Sequence, residues 1–97
     1  MASYIILMTL TDQGVRSVRD ATQLLKNARK DLEDKGGKLK DFYFTMGQLD
    51  GVAVCEAPSD EAILGFVFGL GSTGYVRTET LKAFTTEHVE KTITHLE

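Results

Sequence analysis

The segment Tyr4-Ile5-Ile6-Leu7-Met8-Thr9-Leu10 constrains this chain most, because read as a strand it is apolar on both faces. Side chains alternate across a sheet, so Tyr4, Ile6, Met8 and Leu10 leave one face while Ile5, Leu7 and Thr9 leave the other. A chain of 97 residues with two substantial helices can cover one face of a small sheet, and the second face stays bare. Three or four large apolar side chains left in water forfeit about 1.5–3 kcal/mol each, a sum comparable with the whole stability of a small domain. The simplest cover is a second copy of the chain. The sequence therefore predicts an oligomer paired sheet to sheet, with room for a cavity between the sheets.

The remaining elements follow from local signals. Thr11 and Asp12 offer N-cap oxygens, and Val15, Val18, Ala21, Leu25, Ala28 and Leu32 follow the steps of three and four that mark an amphipathic helix. Gly14 precedes the stripe proper and fits a short opening turn; Gly36-Gly37 ends the helix, since glycine accepts the left-handed backbone of a C-cap. Lys38 to Met46 alternates, with Phe42, Phe44 and Met46 on one side and Leu39, Asp41, Tyr43 and Thr45 on the other. The turn Gly47-Gln48-Leu49-Asp50-Gly51 leads into Val52-Ala53-Val54-Cys55-Glu56-Ala57, so the pair reads as a hairpin. Pro58 stops that strand, and Ser59 caps a helix whose stripe is Ala62, Ile63, Phe66, Val67 and Leu70. A half-polar strand from Tyr75 to Phe84 follows. Thr85 or Thr86 then caps a closing helix with Val89, Ile93 and Leu96 at helical spacing.

The first and third strands are the apolar ones and belong at the centre, whereas Lys38, Lys40, Asp41, Arg77, Glu79 and Lys82 suit the second and fourth to the edges. An antiparallel sheet in the order 4-1-3-2 satisfies this with right-handed crossovers. The expected fold is thus α+β, a ferredoxin-like βαββαβ unit plus a C-terminal helix. One domain spans residues 1–97, and two copies pair as a dimeric α+β barrel.

Composition excludes several partners. With 14 acidic against 11 basic side chains and a net charge of −3, there is no basic footprint for nucleic acid. No apolar run approaches the ~20 residues that span a membrane, and no export signal opens the chain, so a cytoplasmic location is expected. Cys55, the lone cysteine, sits in an apolar strand and reads as a small hydrophobe. Gly69-Leu70-Gly71-Ser72-Thr73-Gly74 matches G-x-G-x-x-G but comes at the end of a helix and opens a strand, the reverse of a dinucleotide loop. His88 and His95 share a face of the closing helix near Glu87 and Glu90, short of the convergent ligands a metal needs. No cofactor and no metal are expected. Three polar residues stand out because alternation aims them at the bare face: Tyr43, Glu56 and Arg77. A phenol, an acid and a guanidinium beside an apolar cavity suit the orientation of a small polar ligand, and a structural ion pair or subunit salt bridge between Glu56 and Arg77 is the competing reading.

Several segments resemble the GYD domain family. They include Leu10-Thr11-Asp12-Gln13-Gly14-Val15-Arg16, Gly36-Gly37-Lys38-Leu39-Lys40 and Phe42-Tyr43-Phe44-Thr45-Met46-Gly47. Glu56-Ala57-Pro58-Ser59-Asp60-Glu61, Leu70-Gly71-Ser72-Thr73-Gly74-Tyr75-Val76-Arg77-Thr78 and Leu81-Lys82-Ala83-Phe84-Thr85 continue the match in family order. The Gly-Tyr-Asp signature is met at Gly47 and Asp50, with Leu49 where tyrosine is expected. The resemblance implies a small domain similar to the dimeric α+β barrel proteins, with no established activity. Two functions are consistent with these observations. One is an oligomeric domain that holds a small molecule between paired sheets. The alternative is a cofactor-independent monooxygenase- or isomerase-like enzyme in which Tyr43, Glu56 or Arg77 orients the substrate.

Overall fold

A computed structural model describes residues 1–96. The elements run β1 (Ala2–Leu10), α1 (Asp12–Arg16), a 3-10 turn (Val18–Asp20), α2 (Ala21–Asp34), β2 (Lys38–Phe44), β3 (Gly51–Ala57), α3 (Asp60–Ser72), β4 (Val76–Ala83) and α4 (Thr86–Thr94). The sheet order is β2-β3-β1-β4 with every neighbouring pair antiparallel, so the apolar strands are central and the charged ones lie at the edges. This is the ferredoxin-like arrangement.

Thr11, Ser59 and Thr85 cap their helices by accepting from the backbone N–H groups of Gly14, Ala62 and His88. The stop after α2 is a Schellman motif. Gly37 N–H donates to Leu32 O and Gly36 N–H to Glu33 O, both at 2.9 Å, with Gly36 at φ +84°.

The core lies between the sheet and one helical layer. Tyr4, Ile6 and Met8 of β1 and Ala53, Cys55 and Ala57 of β3 face Leu32 of α2 and Ile63 and Phe66 of α3. The small side chains of β3 let the helices approach closely. Phe66 and Ile6 are the largest fully buried side chains.

The structure differs from the sequence reading at three places. The first helix is two helices: the backbone N–H of Ser17 closes α1 on Gln13 O and Gly14 O, and the 3-10 turn follows before α2 starts. Val15 and Val18 stay exposed as a result, and the burial of the stripe begins with Leu25, Ala28 and Leu32. In β2, Leu39 pairs with Cys55 but Asp41 with Val54, so Lys40 is an extra residue in a bulge. The bulge resets the alternation and puts Leu39 on the same face as Phe42, under the helices, instead of with Tyr43. Arg29 Nη1 donates to Leu39 O at 2.9 Å and ties α2 to this irregular edge. Met46 lies past the end of β2 and is fully exposed.

Candidate functional site

Among the described residues, no helix covers the second face of the sheet. Strand register sets out its rows: Tyr43, Val52, Leu7 and Glu79 form one, and Asp41, Val54, Ile5 and Leu81 the next. Ile5, Leu7, Val52 and Val54 are half-buried by their neighbours alone, and Leu81 and Tyr43 are exposed. The centre of the open face is thus aliphatic, and its edges are polar.

Tyr43, Glu56 and Arg77 all lie on this open face, yet one chain does not bring them together. Glu56 stands opposite Ser3, and Arg77 opposite Thr9. Six residue steps along β1 separate those partners, about 20 Å at strand rise. Tyr43 is on the far edge strand, in the same row as Glu79 but three strand spacings of about 4.8 Å from it, and Arg77 lies two residues further along β4. Every pair among the three is more than about 10 Å apart at the backbone. Within one copy the three do not converge, and no ion pair joins Glu56 to Arg77 among the described residues.

The polar cluster that does form is on the helical face. The Tyr4 hydroxyl donates to Asp60 Oδ1, and Lys82 Nζ donates to the same carboxylate at 3.0 and 3.4 Å. The bond to Asp60, aided by burial and nearby acidic charge, holds the Tyr4 phenol up at about 12. The same bond, with that from Lys82, lowers Asp60. Asp60 opens α3, so the cluster fastens the start of that helix to β1 and β4. Burial pushes the Cys55 thiol up to about 11, which keeps it protonated and unreactive.

Gly69 and Gly71 belong to the last turns of α3 and Gly74 to the turn before β4, so this stretch presents a helix C-terminus to solvent. That end repels phosphate. Among the described residues, no group of three or more His, Cys, Asp or Glu side chains is placed to hold a metal ion. His88 instead lies beside Phe84, ring centroids 5.2 Å apart. No described helix is long and apolar enough to cross a membrane.

A cavity of about 390 Å³ opens on the helical side, between α2, α3 and the end of the sheet where β1 meets the hairpin loop. Met8, Leu10, Leu25, Phe42, Leu70 and Val76 supply apolar walls, and Ser17, Asn27, Asp31, Asp50 and Thr73 are among its polar groups. Asp50 is held in place: its backbone N–H donates to Met8 O and its Oδ2 accepts from Leu10 N–H. Sequence reasoning passed over this site. The available signal was the spacing of Leu24, Ala28 and Asp31, three and four apart, which puts a carboxylate in line with apolar neighbours on one flank of α2.

Comparison with known proteins agrees with this architecture. A family model described as the GYD domain matches residues 4–93. A Thermus thermophilus protein named glutamine synthetase and cystathionine beta-lyase binding protein is 33% identical over 84 residues, covering 86% of this chain and 88% of that protein. The crystal structure of MtbAldR superposes with a TM-score of 0.69 at 19% identity, over 87% of this chain and 52% of the other. The chain therefore spans about half of that protein, and the likeness is one of fold. With its match running from the first strand into the closing helix, the chain belongs to the GYD domain family.

Proposed function

We propose that this chain is a non-catalytic binding domain that acts as a homo-oligomer, its copies paired through the open faces of their sheets. The observation that carries this is the aliphatic centre of the open face, Ile5, Leu7, Val52 and Val54, with no helix or strand of the described residues packed on it. Face-to-face packing of two such sheets interdigitates these side chains at about 10 Å separation. Across that interface Tyr43, Glu56 and Arg77 of two copies, separated within each, come into reach of one another and of a small molecule held between the sheets. The paired unit also offers a surface to a larger partner. The relative named for binding glutamine synthetase and cystathionine beta-lyase supports a protein as that partner.

Native mass spectrometry and sedimentation at micromolar concentration test the pairing. The expected species is a dimer or a higher even-numbered oligomer, and Leu7→Glu or Val54→Lys is expected to yield folded monomers. A wild-type chain that stays monomeric sinks the reading. Docking is tested by titrating purified glutamine synthetase with wild-type protein, with the monomeric variants as the comparison.

A further inference from the structure

We propose that the cavity between α2, α3 and the sheet binds a small molecule with an apolar body and a single protonated amine. Its volume of about 390 Å³ falls within the range of ~300–1,000 Å³ typical of ligand sites. The walls are aliphatic and aromatic. Phe42 and Phe44 meet edge to face, 4.9 Å between centroids, and Tyr75 lies in the lining with them. An apolar hollow of this kind is poorly satisfied by water and accepts apolar guests.

Charge decides the class of ligand. Among the described residues, the carboxylates in the lining are Asp31 and Asp50, and no lysine, arginine or histidine lines the cavity with them. A carboxylate or phosphate ligand would face like charge without a partner; an ammonium group meets complementary charge and aromatic faces that attract cations. Lys35 Nζ already pairs with Asp31 Oδ1 at 2.6 Å, so Asp50 is the stronger anchor. Leu10 N–H occupies one of its oxygens, and the other takes no hydrogen bond among the described residues. The site is on the opposite side of the sheet from the open face. It neither requires pairing nor competes with it.

Two probes of matched size and opposite charge test this on the full chain by NMR titration: 2-phenylethylamine and 3-phenylpropionate. The amine is expected to shift the resonances of Met8, Phe42, Leu70 and Val76, and the carboxylate to bind about tenfold more weakly or not at all. Asp50→Asn keeps an acceptor for Leu10 N–H but loses the charge, and is expected to weaken amine binding about tenfold. Ala28→Trp fills the cavity and is expected to abolish it. Equal affinity for the two probes, or amine shifts confined to Ile5, Leu7 and Val54 on the open face, overturns the proposal. So do cavity resonances that move on dilution without any probe, since these assign the hollow to a second copy. The comparison of the two probes on wild-type protein needs no variant to fold. A monomeric protein that still binds the amine would end the pairing reading and leave this one standing.

Discussion

Leu10 N–H donates to Asp50 Oδ2 at 2.7 Å, joining the last residue of β1 to the hairpin loop 40 positions away. Asp50 N–H donates in turn to Met8 O at 2.9 Å, so this one residue continues the β1–β3 ladder past the point where β3 begins. Its own carbonyl accepts from Thr45 N–H, which closes the loop. Asp50→Ala removes a charge-assisted hydrogen bond and leaves the Leu10 donor unpaired. Urea denaturation is expected to show a loss of about 1–3 kcal/mol, and Asp50→Asn less than half of it.

Gly14 has helical backbone, and what excludes a side chain there is space. A Cβ at this position would lie 2.1 Å from Tyr75 O. The same carbonyl accepts from Thr11 N–H at 3.0 Å, and Thr11 Oγ1 donates to Gly74 O at 2.6 Å, so the turn before β4 is strapped against α1. Gly14→Ala must push these segments apart and is expected to cost about 1–3 kcal/mol or more in thermal unfolding. Gly71, in α3 with nothing within 4 Å of its missing Cβ, is the control. Gly71→Ala is expected to be neutral or to stabilise by up to about 1 kcal/mol.

The contrast between these sites shows which parts of the fold were legible in the sequence. Thr11, Ser59, Pro58 and Gly36-Gly37 act within a few residues of themselves, and each marks a boundary where the structure has one. The break at Ser17 was hidden because a 3-10 turn keeps a spacing close to three, so Val15, Val18 and Ala21 stay periodic across it. The bulge at Lys40 exists only relative to β3, and alternation in β2 alone cannot reveal it. Face membership of Tyr43, Glu56 and Arg77 was readable from alternation, but their separation was not, since it depends on how β1 registers with β3 and β4. The cavity is walled by residues of β1, α2, α3 and the hairpin, so it is a property of packing between distant segments.

Stability is expected to respond to pH at both extremes through Tyr4 and Asp60. The Tyr4 phenol is raised from 10.0 to about 12, first by its hydrogen bond to Asp60 and then by burial. A group whose folded value exceeds its unfolded one contributes fully below the unfolded value, so this contribution is complete below pH 10 and fades as pH climbs toward 12. Asp60 is lowered from 3.8, chiefly by the bonds from Tyr4 and Lys82. Its contribution is complete above that value and is lost as pH falls through the folded one. Tyr4→Phe removes the largest cause of both shifts. Denaturation midpoints against pH are expected to be flatter for Tyr4→Phe than for wild type on the alkaline limb and on the acid limb.

Glu56 and Arg77 offer the sharpest test of the proposed pairing through the open face. Their opposite charge invites a pairing that the register forbids within one chain, since β1 places their partners Ser3 and Thr9 about 20 Å apart. Residues this distant with no shared neighbours act independently, and their substitutions add to within about 0.5 kcal/mol. A double-mutant cycle of Glu56→Ala and Arg77→Ala is therefore expected to be additive in the background of a monomeric variant such as Val54→Lys. In the wild-type background, any coupling beyond that value has to cross between copies. It would then weaken as the protein is diluted, whereas coupling within a chain would not. A coupling that persists in the monomeric background would mean that the two side chains meet in one chain, contrary to the strand register.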